Sequence, residues 1–181
     1  MHLLRYLYHQ LVRAPGAERP LYRAIHRRRP RQLVQVGLGD GDQVERMLRF
    51  AASYAGSEGL AFAGIDLFEA RPTSQPGMTY QQAHRRFGAL VEQFSLVPGD
   101  PNTALSRAAN RLLQTDLLVV RAGHDPASLK HGWLYVPRML HETSVVLVEE
   151  PGTKGSRFRA MDAAEIAHLA ADVSVPRTRA A

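Results

Sequence analysis

Five short apolar runs, at residues 33–39, 60–68, 95–97, 116–121 and 144–150, alternate with segments of helical periodicity. No other feature constrains the fold as strongly. The longer runs, such as LAFAGIDLF and SVVLVEE, are apolar almost throughout rather than at every second position. A strand of that kind has both faces buried, and helical crossovers between such strands make the sheet parallel. Helices are predicted over 42–55, where Val44, Met47, Leu48 and Ala51 share a face, and over 79–94, 101–113 and 126–140. A last helix is predicted over 162–171, with Asp162 as N-cap and Glu165 at capping-box spacing. The expected architecture is α/β: a doubly wound, mostly parallel, Rossmann-like sheet. Ligands of such sheets bind beyond the carboxyl ends of the strands, at the point where strand order reverses.

The 181 residues suit one domain, and the absence of cysteine excludes disulfides, thiolate metal sites and a cysteine nucleophile. No apolar run is long enough to span a membrane, and no secretory leader is recognisable, so the expected location is cytoplasmic. The formal charge of +6 first suggests a nucleic-acid partner. Its distribution argues otherwise. Residues 1–32 hold eight arginines against one acid, Glu18, whereas the other 149 residues hold 15 basic and 16 acidic groups. The sequence therefore divides into a basic helical arm (1–31), a near-neutral body (32–172) and a loose tail (173–181). In the arm, Leu3, Leu4, Leu7, Leu11 and Val12 lie at helical spacing and suit either core packing or a homodimer or membrane-surface contact. A second helix is predicted over 20–29, with Pro20 in its first turn.

The first strand ends in Gly37-Leu38-Gly39-Asp40-Gly41. A dinucleotide fingerprint needs a glycine at position 42, where this chain has Asp42. An acid there favours the helix dipole but repels a pyrophosphate, so the loop suits a ligand without phosphate. The second strand ends in Asp66, whose carboxylate can accept hydrogen bonds from both hydroxyls of a ribose. A third polar loop, Val97-Pro98-Gly99-Asp100, follows on the same edge. These features suit a phosphate-free nucleoside such as S-adenosylmethionine. Plainer readings stand beside them: the glycines as a tight turn, Asp66 as a turn cap, and Asp100 before Pro101 as a helix N-cap.

The run VQVGLGDG…FAGIDLFE…VPGDP…DLLVVRAGHD…VPRML…SVVLVEE, over about residues 30–150, resembles the class I S-adenosylmethionine-dependent methyltransferases. It looks most like the small-molecule O-methyltransferases of the macrocin type. The resemblance implies that Gly37, Gly39 and Gly41 line the methionine part of the cofactor, that Asp66 holds the ribose, and that Asp100 lies near the adenine. Gln35 stands where such proteins carry an acid that orients the methionine amino group.

At the end of the fourth strand the family carries two magnesium-binding aspartates, and here Arg121 and Gly123 replace them. An arginine opposes a cation, so no metal ion is expected at that position. Arg121 either pairs with Glu149 or Glu150 across adjacent strand ends or clamps an anionic substrate. His124 is the candidate general base, or simply a solvated loop residue. Asp125 reads as a helix N-cap, and Trp133 and Tyr135 as core. After the fifth strand the family adds a two-stranded hairpin, whereas Arg157–Met161 allows at most one short strand. The expected function is metal-independent methylation of a small molecule. The alternative is a degenerate methyltransferase-like domain used as a binding module, and nucleic-acid methylation is disfavoured.

Overall fold

The computed structural model describes residues 16–121, 129–152 and 155–174. The amphipathic segment 2–13, with its suggested dimer contact, lies outside the described residues, as do His124, Gly123 and Asp125.

The chain enters through α1 (Arg19–Arg28), with Pro20 in its first turn as expected. It ends at Arg29 in the left-handed conformation, whose N–H reaches Ile25 O at 2.8 Å. There follow β1 (Gln32–Val36), α2 (Asp42–Ala55), β2 (Ala61–Asp66), α3 (Tyr80–Gly88), β3 (Gln93–Pro98), α4 (Pro101–Ala108) and β4 (Thr115–Val120). The chain closes with the short α5 (Val136–Met139), β5 (Leu140–Gly152), β6 (Gly155–Met161) and α6 (Ala163–Ser174). The six strands form one sheet in the order β3-β2-β1-β4-β5-β6. All neighbours are parallel except β5 and β6, which pair antiparallel as a hairpin from Val146↔Met161 to Gly152↔Gly155. Strand order reverses between β1 and β4, and that is where an open α/β sheet leaves its crevice.

Both faces of the sheet are covered, as the continuous apolar runs require. On one side, α1, α2 and α3 pack Ile25, Leu48 and Phe87 against Leu33, Phe62, Leu117 and Leu147. On the other, α4, α5 and α6 pack Leu105, Met139 and Ile166, with Trp133, against Val34, Val36, Ile65 and Val120. The second helix of the basic arm belongs to the first core: Leu21, Tyr22 and Ile25 are fully buried. The arm's one acid, Glu18, is buried too and takes Arg46 Nη2 of α2 at 2.5 Å and the Tyr22 hydroxyl at 3.1 Å. Burial, with Glu18 next, pushes the Tyr22 phenol well above its usual range. Over the described residues, then, position 31 does not separate two packing units.

Several element boundaries differ from expectation. The helix predicted over 79–94 stops at Gly88, and Gln93–Pro98 is an edge strand. A side chain at Gly88 would meet the Phe94 ring at 2.9 Å, so the glycine lets strand and helix close together. The helix predicted over 101–113 ends at Ala108 and tightens into a 3₁₀ turn over Ala109–Arg111. In the described part of 126–140 there is only a 3₁₀ turn over Gly132–Leu134 and then α5, with Pro137 in its first turn. A ring nitrogen cannot donate to a preceding helical carbonyl, so Pro137 starts a helix instead of lying near the end of one. Helix α6 continues to Ser174, into the segment expected to be loose. Its start follows expectation: Asp162 Oδ1 accepts the Glu165 N–H at 2.7 Å. The single C-terminal strand is seven residues long, slightly longer than 157–161.

Candidate functional site

The glycine loop leaves β1 at the reversal point. Gly37, Gly39 and Gly41 have φ of 79°, 59° and 81°, a region that favours glycine. The ladder continues into the loop, with Gly37 N donating to Ile65 O at 2.9 Å and Arg121 N donating to Val36 O at 3.0 Å. Leu38 is buried and points into a hollow left by Gly64 in β2; a Gly64 Cβ would lie 3.0 Å from Leu38 Cδ1. From the far side, Met78 N donates to Gly39 O at 3.0 Å and the Met78 thioether packs where a Gly41 side chain would be.

Asp66 is 3% exposed and binds the same loop. Its Oδ2 accepts the Leu38 N–H at 2.6 Å, and its Oδ1 accepts the Leu67 N–H at 2.6 Å and pairs with Arg71. Asp66 thus caps the turn at the end of β2 and ties it to the glycine loop. Asp100 caps α4, accepting the N–H groups of Asn102 and Thr103 at 3.0 and 3.4 Å, while Gly99 N donates to Asp66 O at 2.9 Å. The carboxyl ends of β1, β2 and β3 thus come together as the sequence predicts, with Asp100 facing solvent.

Gln35 is fully buried on β1, beside the loop. Its Nε2 donates to Gly37 O at 3.0 Å and to Gln43 Oε1 at 2.8 Å, two acceptors that fix the orientation of the amide. Its Oε1 has no hydrogen-bond partner. A buried orphan acceptor costs free energy and invites a donor.

At the other side of the crevice, Arg121 Nε donates to Glu149 Oε2 at 2.8 Å, with Glu149 6% exposed. Ser156 Oγ donates to the second Glu149 oxygen. The guanidinium also overlies the glycine loop, with Nη1 3.3 Å from a Gly39 Cβ position. Of the two readings of Arg121, the ion pair is the one present. Glu150 is engaged separately by Arg159 at 2.6 Å, and Arg159 also forks onto Glu165. Both glutamates at the end of β5 are thus neutralised by arginine, a donor set that does not suit a magnesium ion. No three His, Cys, Asp or Glu side chains converge among the described residues. Trp133 is fully buried, in the core as expected, and Tyr135 is half-buried at its edge.

Sequence reasoning missed Arg86. From α3 it donates through Nε to Glu45 at 2.6 Å, through Nη1 to Asp40 O at 2.8 Å and through Nη2 to Asp42 at 2.6 Å. The Arg86 hydrogen bonds hold the Asp42 and Glu45 carboxyls below their usual range. A carboxylate depressed in this way contributes stability above its unfolded pKa and loses it as pH falls through the folded value. The R86A variant is therefore expected to melt lower than wild type at pH 7, and the gap should narrow as pH falls below about 4. Parallel melting curves from pH 7 to pH 3 would contradict this.

No family model matches the sequence, and no curated protein is detectably similar to it. Solved structures are similar in shape. The trans-methyltransferase CalH, in complex with S-adenosylhomocysteine, superposes with a TM-score of 0.53 at 12% identity, over 87% of this chain and 39% of CalH. The O-methyltransferase TomG of Streptomyces achromogenes, involved in tomaymycin synthesis and in complex with S-adenosylmethionine, gives 0.52 at 12% identity, over 82% of this chain and 64% of TomG. The fold is that of the class I S-adenosylmethionine-dependent methyltransferases. This chain spans less than two thirds of the length of either protein. Within this fold its reversal-point crevice is the one lined by Gly37–Gly41, Asp66 and Arg121. Among the described residues no helix is long and apolar enough to cross a membrane.

Proposed function

We propose that this chain binds S-adenosylmethionine at the carboxyl edge of its sheet and transfers the methyl group to a small-molecule acceptor in the cytoplasm, without a catalytic metal ion. The observation that carries this reading is the glycine loop tied to Asp66 at the reversal point of a methyltransferase fold. The loop of Gly37, Gly39 and Gly41 lies alongside the methionine part. Gln35 Oε1 accepts from its ammonium group, and Asp66 receives the ribose hydroxyls. The exposed loop at Asp100 flanks the adenine. Bound cofactor supplies an electrophilic methyl group on a sulfonium. The chain's task is then to place a nucleophile in line and exclude water. Arg121, held by Glu149, presents its remaining N–H groups to an anionic acceptor group. His124, three residues further on, takes the acceptor's proton. A fixed guanidinium in place of metal-binding aspartates supports metal independence.

The test is thermal melting with S-adenosylmethionine and S-adenosylhomocysteine, followed by a turnover assay with and without EDTA. Ligand at about 100 times its dissociation constant adds roughly 2.7 kcal/mol, and hence several degrees for a chain of this size. Turnover on a competent acceptor should be unchanged by EDTA. Loss of turnover in EDTA would overturn metal independence. No shift with either ligand would overturn the methyltransferase reading and favour a binding module.

A further inference from the structure

Asp66 is crowded before any ligand arrives. Three donors converge on its carboxylate: the Leu38 N–H on Oδ2, and the Leu67 N–H and the Arg71 guanidinium on Oδ1. An ionised carboxylate offers about four acceptor positions, and a ribose diol needs two of them. The two backbone donors belong to the glycine loop and to the end of β2, so the fold holds them in place. Arg71 is the donor that can move.

The connection between β2 and α3 is built to bring Arg71 back over the acid. Phe68 takes φ of 50°, an unfavourable region for an aromatic residue, and its ring is buried and packed edge-on against Tyr80 at 5.3 Å. A 3₁₀ turn over Phe68–Ala70 follows, closed by Arg71 N donating to Phe68 O at 3.2 Å. The Arg71 side chain is 10% exposed. It crosses Gly77 so closely that a Gly77 Cβ would lie 1.7 Å from Nη1, so only glycine at 77 leaves room for the guanidinium. One residue on, Met78 is fastened to Gly39. The segment 67–79 is thus pinned at Asp66 and at the glycine loop, with Arg71 spanning its middle.

From this we infer that Arg71 is a latch on the nucleoside end of the site: it occupies Asp66 in the ligand-free protein, must be displaced for a ribose to bind, and so sets cofactor affinity. The inference rests on the cofactor reading above. A neutral diol competes poorly with a buried guanidinium for a carboxylate, because the charge-assisted bond is the stronger one. Only the unlatched fraction binds, and the apparent dissociation constant rises in inverse proportion to that fraction. Gly77 is then the second latch component, since any side chain there would drive the guanidinium off Asp66.

Calorimetric titration of the full chain with S-adenosylhomocysteine tests this on wild type, R71A, R71K and G77A. R71A is expected to bind at least tenfold more tightly than wild type. G77A keeps the arginine but displaces it, and should move in the same direction. R71K retains a cation and should stay within about threefold of wild type. A purely structural role for Arg71 would weaken binding in R71A and G77A alike. Equal or weaker binding by R71A, with wild type binding normally, overturns the latch and leaves the cofactor reading intact. Absence of binding in all four proteins overturns both. Binding by R71A and G77A alone supports the latch most strongly.

Discussion

The D66A variant is expected to lose cofactor binding and about 3–5 kcal/mol of folding stability together. The stability figure follows from removing one partner of a buried ion pair, which strands the other charge. Asp66 and Arg71 side chains are 4% and 10% exposed, so water cannot take over the pairing cheaply. The same carboxylate also satisfies the N–H groups of Leu38 and Leu67. An alanine leaves both donors without their acceptor and releases the glycine loop from β2. D66N is the informative companion. It keeps an acceptor oxygen and the side-chain volume and loses only the charge, so it should melt between wild type and D66A. Urea unfolding gives the stabilities, and titration with S-adenosylhomocysteine gives the binding. A D66A protein with the wild-type urea midpoint would refute the structural role. Wild-type affinity in D66A would refute the ribose assignment.

The second large effect is expected at Trp133, the chain's only tryptophan. It is fully buried in the core beneath α4, α5 and α6, and its backbone N–H donates to Leu129 O at 3.2 Å. The adjacent Gly132 allows Leu105 to approach within 2.8 Å of its Cβ position, so the turn is packed tightly. Truncation to alanine in such a place removes a large apolar surface and leaves a cavity that rigid neighbours fill only in part, at about 3–5 kcal/mol. For a domain of this size that corresponds to a fall in melting temperature on the order of 10 °C. The wild-type protein supplies its own control, since tryptophan emission should be blue-shifted when folded and move to the red at the unfolding midpoint. A red-shifted emission in the folded protein, or a W133A variant that melts within a degree of wild type, would contradict the burial.

The sheet was legible because its strands are apolar on both faces, a pattern that few arrangements other than a covered parallel sheet can satisfy. The pairing of Arg121 with Glu149 was legible for a related reason. Once β4 and β5 are neighbours in parallel register, with Val120 opposite Val148, the next residues on each strand meet. The turn after β3 was legible from Asp100-Pro101, since short acceptor side chains cap helices. What sequence could not give was geometry across long separations. Arg86 reaches Asp42 and Glu45 over more than forty residues, and no local spacing announces it. Arg71 lies five residues beyond Asp66, yet its return depends on an unusual φ at Phe68 that no propensity favours. The overlong helix predicted after Thr79 has the opposite cause. Ala89 to Glu92 are compatible with a helix locally, but the edge of the sheet claims the residues just beyond them.

The Leu38 side chain, seated in the hollow at Gly64, has a consequence for how the loop meets a ligand. A glycine-rich segment is ordinarily among the most expensive to order, because its unfolded backbone samples the widest range of conformations. Here one leucine peg and one carboxylate have immobilised it during folding. Association at this edge then draws little on backbone entropy. If Arg71 is the latch, ligand entry at this edge then waits on the swing of a single arginine side chain.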